Sequence, residues 1–576
     1  MKSPLTCLTV SLAVLTALAC APQQQGKIYS YRWTYMSTSL RQDSDVDDVR
    51  RIADTCAAHG LNGILLSAGM DHLDLQPQPY IGRLFQVRQI GRDTGVEIIP
   101  SVFSVGYGGA FLAHDKNLAA GLPVVDALYV VKGGKAQFAA DPPVEVSNGS
   151  FEKTEDGRVA GFTSPPQFGQ VISQDTQVAK EGQASLKFEK FGDYEAEAGK
   201  LAVTIKVHPQ RLYRMSCWIR SEGLDESRPF SSGNIRLQAT APDGRPLEWM
   251  NINMPASGDW QQAVEAFNSC EYDQVEISVA GGRRQNGRFW VDCLQVEDIG
   301  MVNLLRRPGT PVTVKGEKNG MVYEEGKDFA ALEDKDLNFR FNHDGPAIEL
   351  LPGGRIRNGE RLRVSFYHGT SVYDGQVTVC MSEPAVYDIM RNNVRMIQDI
   401  MHPTKYFLPL DEIRNGGACQ ACRERKMNMG QLLGDFITQT VNIIHEVNPD
   451  AEVFIWSDML DPNHNARQDR AYYYHVPGNY YGSWNYIPKD LIIACWYFEK
   501  RRESLDHFSA LGYRTLGAAY YDADDLENPK GWLAALDSTS NAVGIMYTTW
   551  LDKYDLLDDF GDLVSKRTDL DKQDAQ

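Results

Sequence analysis

The chain has 576 residues, 43% of them apolar and 23% charged, a length that predicts more than one domain. Its 58 Lys and Arg against 76 Asp and Glu leave a formal net charge of −18. That balance argues against nucleic acid as a partner, because phosphate binding requires a basic face.

At the N-terminus, Lys2 supplies a positive charge and Leu8 to Leu18 an apolar core too short to span a bilayer, so residues 1–19 read as an export signal. Cleavage after Ala17-Leu18-Ala19 leaves Cys20 first, followed by a polar Ala-Pro-Gln-Gln-Gln tether. This arrangement resembles a bacterial lipoprotein signal. The resemblance implies a lipid on Cys20 and a membrane anchor at the cell envelope; a plain signal for periplasmic or secreted delivery is the alternative. After residue 20 no run is long and apolar enough to cross a membrane. Eight cysteines follow, at 56, 217, 270, 293, 380, 419, 422 and 495. Disulfides are permitted outside the cytoplasm, but their pairing is not readable from spacing.

From Lys27 the pattern is strand, helix, strand. Residues 27–35 form a first strand, and a helix over 44–59 has Ser44 as its expected cap and Asp45, Asp47 and Asp48 in its first turn. Strands at 61–67 and 96–104 flank a helix over 82–94. Residues 148–297 then show only β-type alternation and turns, and a second β-rich stretch runs from 300 to 374. Alternation of helix and strand resumes with a helix over 384–402 and a strand through Tyr406 that ends at Asp411-Glu412. An amphipathic helix over 427–447 follows, then strands beginning at Ala451, Leu491, Arg514 and Asn541. Three strands before the β-rich insert and five after it make eight βα units. The predicted fold class is therefore α/β: a (β/α)8 TIM barrel in two parts, 27–125 and 376–566, split by inserted all-β domains at 148–298 and 300–374. Loops accept such insertions better than strands do.

In such a barrel, catalytic groups lie at the carboxyl ends of the strands. Lys405-Tyr-Phe-Leu-Pro-Leu-Asp-Glu412 is a short apolar strand ending in two adjacent acids, and burying an unpaired carboxylate costs several kcal/mol. The other candidates are Arg32 and Trp33 on strand 1, Ser101 and Ser104 on strand 3, Trp456 and Asp458 on strand 5, and Trp496 on strand 6. Strand 7 adds Tyr520, Tyr521 and Asp522, and strand 8 adds Tyr547 and Trp550. So many aromatic rings around one mouth suit a sugar, whose apolar faces stack on them. Binding of substrate is assigned to Arg32, Trp456, Asp458, Trp496, Tyr521, Asp522, Tyr547 and Trp550. The plainer alternatives are an ion pair of Asp411-Glu412 with Arg414 or Arg423, and a loop cap at Asp458.

The Asp411-Glu412 ending, Trp456-Ser-Asp458 and Trp550 resemble the family 20 glycoside hydrolases, the β-N-acetylhexosaminidases, although that family usually carries His-x-Gly-Gly before the acids where this chain has Phe407-Leu-Pro-Leu410. The resemblance implies Glu412 as general acid and Asp411 as the carboxylate that orients and stabilises a 2-acetamido group attacking within the substrate. It requires no cofactor and no catalytic metal. A two-carboxylate scheme pairing Glu412 with Asp458 or Asp522 is the alternative. Cys419-x-x-Cys422 lacks a second pair for zinc and reads as a disulfide or buried thiol pair shaping the adjacent loop. His464 either touches substrate or caps its loop. The six tyrosines and Trp484 between 472 and 486 suggest a sugar-binding wall.

Asn148-Gly-Ser-Phe-Glu152, Cys217-Trp-Ile-Arg220 and Trp290-Val-Asp-Cys293 resemble carbohydrate-binding modules of the CenC type. The resemblance implies a jelly roll over 148–298, glycan binding, and a structural calcium near Glu152 and Asp292. Taken together, the expectation is an exported glycoside hydrolase acting on oligo- or polysaccharide. The alternative is a surface glycan-binding lipoprotein on a barrel without catalysis.

Overall fold

The computed structural model describes residues 27–567 except 167, 192–198, 225–234, 282–286, 374, 470–472 and 474; the expected signal and Cys20 lie outside the described residues. Eight strands form one parallel sheet: β1 (Tyr31–Ser37), β2 (Gly63–Ser67), β3 (Glu97–Pro100), β4 (Lys405–Leu408), β5 (Glu452–Trp456), β6 (Ile492–Cys495), β7 (Arg514–Tyr520) and β8 (Ala542–Thr548). The spatial order is β4-β5-β6-β7-β8-β1-β2-β3. The two edges then meet. Ser101 makes a parallel bridge to Phe407, and the Val102 N–H donates to the Phe407 carbonyl at 3.0 Å. Lys405 and Glu97 form an ion pair of 2.7 Å across the same seam. The sheet is thus a nearly closed barrel.

Alternation along the strands builds two layers. Trp33, Leu65, Ile99, Phe407, Phe454, Ile492, Leu516 and Met546, one or more from every strand, pack together as an inner cluster. Their neighbours Ile64, Ile98, Tyr406, Val453, Ile493 and Ile545 belong to a separate outer layer shared with the helices. Strands buried on both faces have near-continuous apolar sequences, as these do. Trp33 fills the inner layer only because position 63 is glycine: a Cβ there would lie 2.5 Å from its ring.

The helices are α1 (Asp43–Ala58), α2 (Gln78–Thr94), α3 (Gly109–His114), α4 (Pro384–Met401), α5 (Gln420–Glu424), α6 (Met429–Val447), α7 (Arg501–Ala510), α8 (Glu527–Asp537) and α9 (Leu557–Ser565). Gln42, not Ser44, caps α1, in a box with Asp45. Asn428 and Gln431 form the equivalent box on α6. The sheet departs from a regular βα repeat after β5. Among the described residues only short 3-10 turns, Asp458–Leu460 and Ser483–Asn485, separate β5 from β6.

The inserts leave between β3 and α4. Two antiparallel sheets enclose one apolar core over 146–296. Their strand orders are 200–206, 274–281, 235–240, 246–252 in one sheet and 258–268, 212–222, 288–298, 185–189, 172–175 in the other. A six-stranded sheet corrects the boundary expected at residue 125. Its central strand, Leu122–Lys132, pairs antiparallel with Arg361–His368 and continues into Lys135–Phe138. Val124, Ala127, Tyr129 and Val131 face its core, so residues 122–138 belong with 300–374.

Candidate active site

A cavity of about 670 Å³ opens at the carboxyl ends of the parallel strands. Every strand contributes to its lining: Tyr35 from β1, Ser67 from β2, Ser101 just after β3, Asp411 and Glu412 beyond β4, and Trp456, Trp496, Tyr521 and Trp550 at or beyond β5 to β8. This common placement follows from parallel strands, which present their carboxyl ends on one side.

The backbone at the acid pair is held from several directions. β4 stops at Leu408, Pro409 removes a donor, and Glu412 takes a left-handed φ of 52°. The Glu412 N–H donates to Asp458 Oδ2 at 2.9 Å, and Gln376 Nε2 donates to the Glu412 carbonyl at 2.7 Å. Gly106 passes so near that a Cβ would lie 2.4 Å from the Asp411 carbonyl oxygen. The end of β4 is therefore fixed by β5, by the loop after β3 and by the segment before α4.

The three acids have different surroundings. Burial holds the Asp411 carboxyl well above the ordinary carboxylate range, and the charges of Asp458 and Glu412 add to the effect. Glu412 is saturated with donors. Tyr107 donates its phenol to Oε2 at 2.5 Å, Arg414 Nη1 donates to the same oxygen at 3.2 Å, and Arg414 Nη2 reaches Oε1 at 3.1 Å. Arg414 is itself buried and is fixed by Gln376 Oε1 at 2.8 Å. The ion pair anticipated with Arg414 thus forms. Asp458 is fully buried. Burial pushes its carboxyl up to about 7, against the Glu412 N–H and the Asn465 amide that donate to it. Its Oδ1 has no hydrogen-bond partner among the described residues, and the Trp496 indole lies beside it.

Aromatic rings form the wall. Trp456 packs on Phe407 with centroids 4.6 Å apart and lies 6.3 Å from Trp550. Trp550 is 44% exposed and packs on Tyr35 at 5.1 Å. Trp496 and Tyr521 have parallel planes with centroids 6.2 Å apart. Tyr520, Tyr521 and Asp522 all have positive φ, a strained run at the end of β7 that aims Tyr521 into the cavity.

Several of the residues expected at the site do not line the cavity: Trp33 is in the inner layer, Tyr520 is buried against Tyr547, and Asp458 is buried behind Glu412. Arg32 is the second residue of β1, at the opposite end of the sheet, where its guanidinium binds the carbonyls of Gly60 and Tyr29. Tyr547 faces the outer layer, stacks on Tyr520 at 3.9 Å and donates to the Lys553 carbonyl. Asp522 accepts from Thr549 Oγ1 and from the Trp550 N–H, so it anchors Trp550 and does not line the cavity. His464 is packed between Trp496 and Tyr497, and burial pushes its imidazole down to about 3. In the tyrosine-rich loop, Tyr473, Tyr480 and Trp484 are buried and none lines the cavity; Tyr472 and Tyr474 lie outside the described residues. The physical reason is common to these cases: a position near a strand does not fix which end or face a side chain takes.

Conversely, Tyr35, Tyr107, Asp71 and His72 line the cavity without having been singled out. Asp71 accepts the Phe103 N–H at 3.1 Å and His72 Nδ1 lies 3.3 Å from Asp71 Oδ1. The signal was present, since Asp71-His72 follows the end of β2 by four residues, much as Asp411-Glu412 follows the end of β4 by three.

The two acids named for a calcium in the inserted module, Glu152 and Asp292, accept hydrogen bonds from nearby backbone. Glu152 Oε1 accepts the N–H groups of Gln183 and Ala184, and Asp292 accepts those of Lys180, Glu181 and Cys293. Among the described residues the one convergent set of potential metal ligands is Cys380, Cys419 and Cys422, and all eight cysteines are free thiols. The pair Cys419-x-x-Cys422 is therefore not a disulfide, and it has a third sulfur that spacing alone did not reveal.

No protein-family model and no curated protein matches the chain. Solved structures similar to parts of it include carbohydrate-binding modules and glycoside hydrolases. The N-acetyl-β-hexosaminidase of Streptomyces plicatus is 12% identical over 34% of this chain and 39% of its own, with a TM-score of 0.20. A CBM4 structure is 14% identical over 26% of this chain and 97% of its own, at 0.20. The CBM22-1–GH10 modules of Clostridium thermocellum xylanase 10B, solved with xylohexaose, are 8% identical over 68% of this chain and 88% of theirs, at 0.19. At these identities and scores the likeness extends to neither substrate nor reaction.

Proposed function

We propose that the chain is an exported glycoside hydrolase whose active site is the cavity at the carboxyl ends of a (β/α)8 barrel. The observation that carries this reading is the pair Asp411 and Glu412 facing a wall of Tyr35, Trp456, Trp496, Tyr521 and Trp550, with buried Asp458 behind them holding the Glu412 N–H. Glycoside cleavage needs a proton for the leaving oxygen and a negative group beside the positive charge that develops on the sugar. Asp411 suits the first role, because burial raises its carboxyl well above the ordinary carboxylate range, as a proton donor requires. Glu412 suits the second, since both its oxygens accept from Arg414 and Tyr107 and neither is free to donate. This reverses the roles that the hexosaminidase resemblance implies. The inserted jelly roll would supply glycan binding beside the catalytic barrel.

The test is a panel of aryl glycosides and polysaccharides, including 2-acetamido sugars, applied to the wild type, Asp411→Asn and Glu412→Gln. Asp411→Asn should lose activity on ordinary glycosides and keep much of it on dinitrophenyl glycosides, whose leaving group needs no proton. Glu412→Gln should lose both. Loss of the leaving-group distinction in Asp411→Asn would return the proton to Glu412. Turnover confined to 2-acetamido sugars would assign the substrate-assisted route.

A second reading, a glycan-binding protein without catalysis, draws on the Glu412–Arg414 ion pair, which a binding site can keep. No turnover with retained glycan binding in all three proteins would favour it. Anchoring through Cys20 is proposed from residues 17–25 alone; a Cys20→Ser chain should leave the membrane fraction for the soluble one.

A further inference from the structure

Three sulfur atoms meet beneath the loop that follows the acid pair. Cys380 Sγ lies 3.4 Å from Cys419 Sγ and 3.6 Å from Cys422 Sγ, and the latter two are 3.5 Å apart. All three residues are buried. These separations are far beyond a disulfide of about 2.05 Å. A tetrahedral zinc with Zn–S bonds of about 2.3 Å sets its thiolates about 3.8 Å apart. The sulfur triangle is therefore within a few tenths of an ångström of one face of such a tetrahedron. Without a central ion, three polarisable thiols would be crowded together with only weak S–H···S bonds to hold them.

The surroundings suit an anionic centre. Arg307 is buried beside Cys419, fixed by the carbonyls of Asn117 and Ala119 at 2.7 and 2.8 Å and by Glu383 at 3.0 Å. The Cys422 N–H points at the Cys419 sulfur. Ser382 is next to Cys422, and its Oγ is buried with no hydrogen-bond partner among the described residues.

We propose that Cys380, Cys419 and Cys422 bind one soft divalent ion, zinc by the chemistry of three thiolates, with the fourth position taken by water or the Ser382 hydroxyl. Binding releases the three thiol protons to solvent as three S–metal bonds form, with no change of oxidation state. The site joins the segment entering α4 to the loop carrying Glu412 and Arg414. Its role is to fix that loop, and it does not depend on the barrel being a hydrolase.

The full chain, purified without chelator or added thiol, should contain about one zinc per molecule by mass spectrometry. Its three thiols should react with a thiol reagent only after a chelator is added. Cobalt exchanged into the site should give a thiolate-to-cobalt charge-transfer band and the visible bands of a tetrahedral ion. Cys380→Ser should bind no metal; if that variant does not fold, the cobalt spectrum of the wild type decides. A metal-free chain with freely reactive thiols, a mapped disulfide among the three, cobalt bound without the sulfur band, or full zinc retained by folded Cys380→Ser would each overturn the proposal.

Discussion

Two cavities of similar size lie in different parts of the molecule, and both hold an acid whose carboxyl burial pushes up. One is the barrel mouth, about 670 Å³, with Asp411. The other, about 630 Å³, lies between the two-sheet inserted module and the neighbouring β-sheet, lined by Glu248, Asn251, Gln262, Glu265, Arg340 and Phe341 among others. Burial pushes the Glu265 carboxyl up to about 8, with Arg340 opposing it. The mouth has six aromatic rings on its wall, while the lining of the second cavity includes a single one, Phe341. A perturbed acid by itself is thus a poor mark of a site, because a domain junction produces one as readily. What separates the mouth is acids gathered just beyond the ends of parallel strands and a surface on which a sugar can stack.

The largest expected effect is on catalysis. Asp411→Asn should lower kcat on unactivated glycosides about 10²- to 10⁴-fold, whereas Glu265→Gln should leave it unchanged. Equal losses from both would erase the distinction between the cavities. Next is stability. Trp33 is packed in the layer below the mouth, and Trp33→Ala should cost about 3–5 kcal/mol in denaturant unfolding. Smaller again is binding at the rim. Trp550→Ala should raise KM about tenfold, about 1.4 kcal/mol, with little change in kcat, while Phe341→Ala should not alter KM. The last effect is a slope with pH, and it leaves catalysis and binding unchanged. Glu265 holds its proton more tightly folded than unfolded, so its contribution is full below about pH 4.5 and is lost as pH rises toward 8. Glu265→Gln should flatten that decline in melting temperature between those limits.

Much of this was legible in the sequence. The eight strands, the split after the third and the acid pair at a strand end follow from apolar runs bounded by turns and from the expense of burying charge. Trp456, Asp458, Trp496, Tyr521 and Trp550 do converge on the acid pair. Arg32 failed because apolar length cannot tell the start of a strand from its end. Tyr547 failed because the next residue along a strand faces the other layer. The third sulfur was hidden because Cys380 joins Cys419 only through tertiary contact, 39 residues away in the chain. The barrel part was drawn to residue 125 and the strand at 122–132 was not legible, because its partner at 361–368 lies beyond the whole first inserted module. The last two depend on long-range pairing, which composition and spacing do not encode.

The seam between β3 and β4 has a consequence for assembly. Glu97 and Thr404, which meet there, are 307 residues apart, and both inserted modules lie in the intervening chain. During synthesis the first three strands emerge long before the strand that completes the ring, with a raw edge exposed meanwhile. Contacts so distant in the chain form slowly, so closure of the ring should be the last event, after both modules have condensed and shortened the span. A lesion inside a module could then abolish the barrel without touching any of its residues.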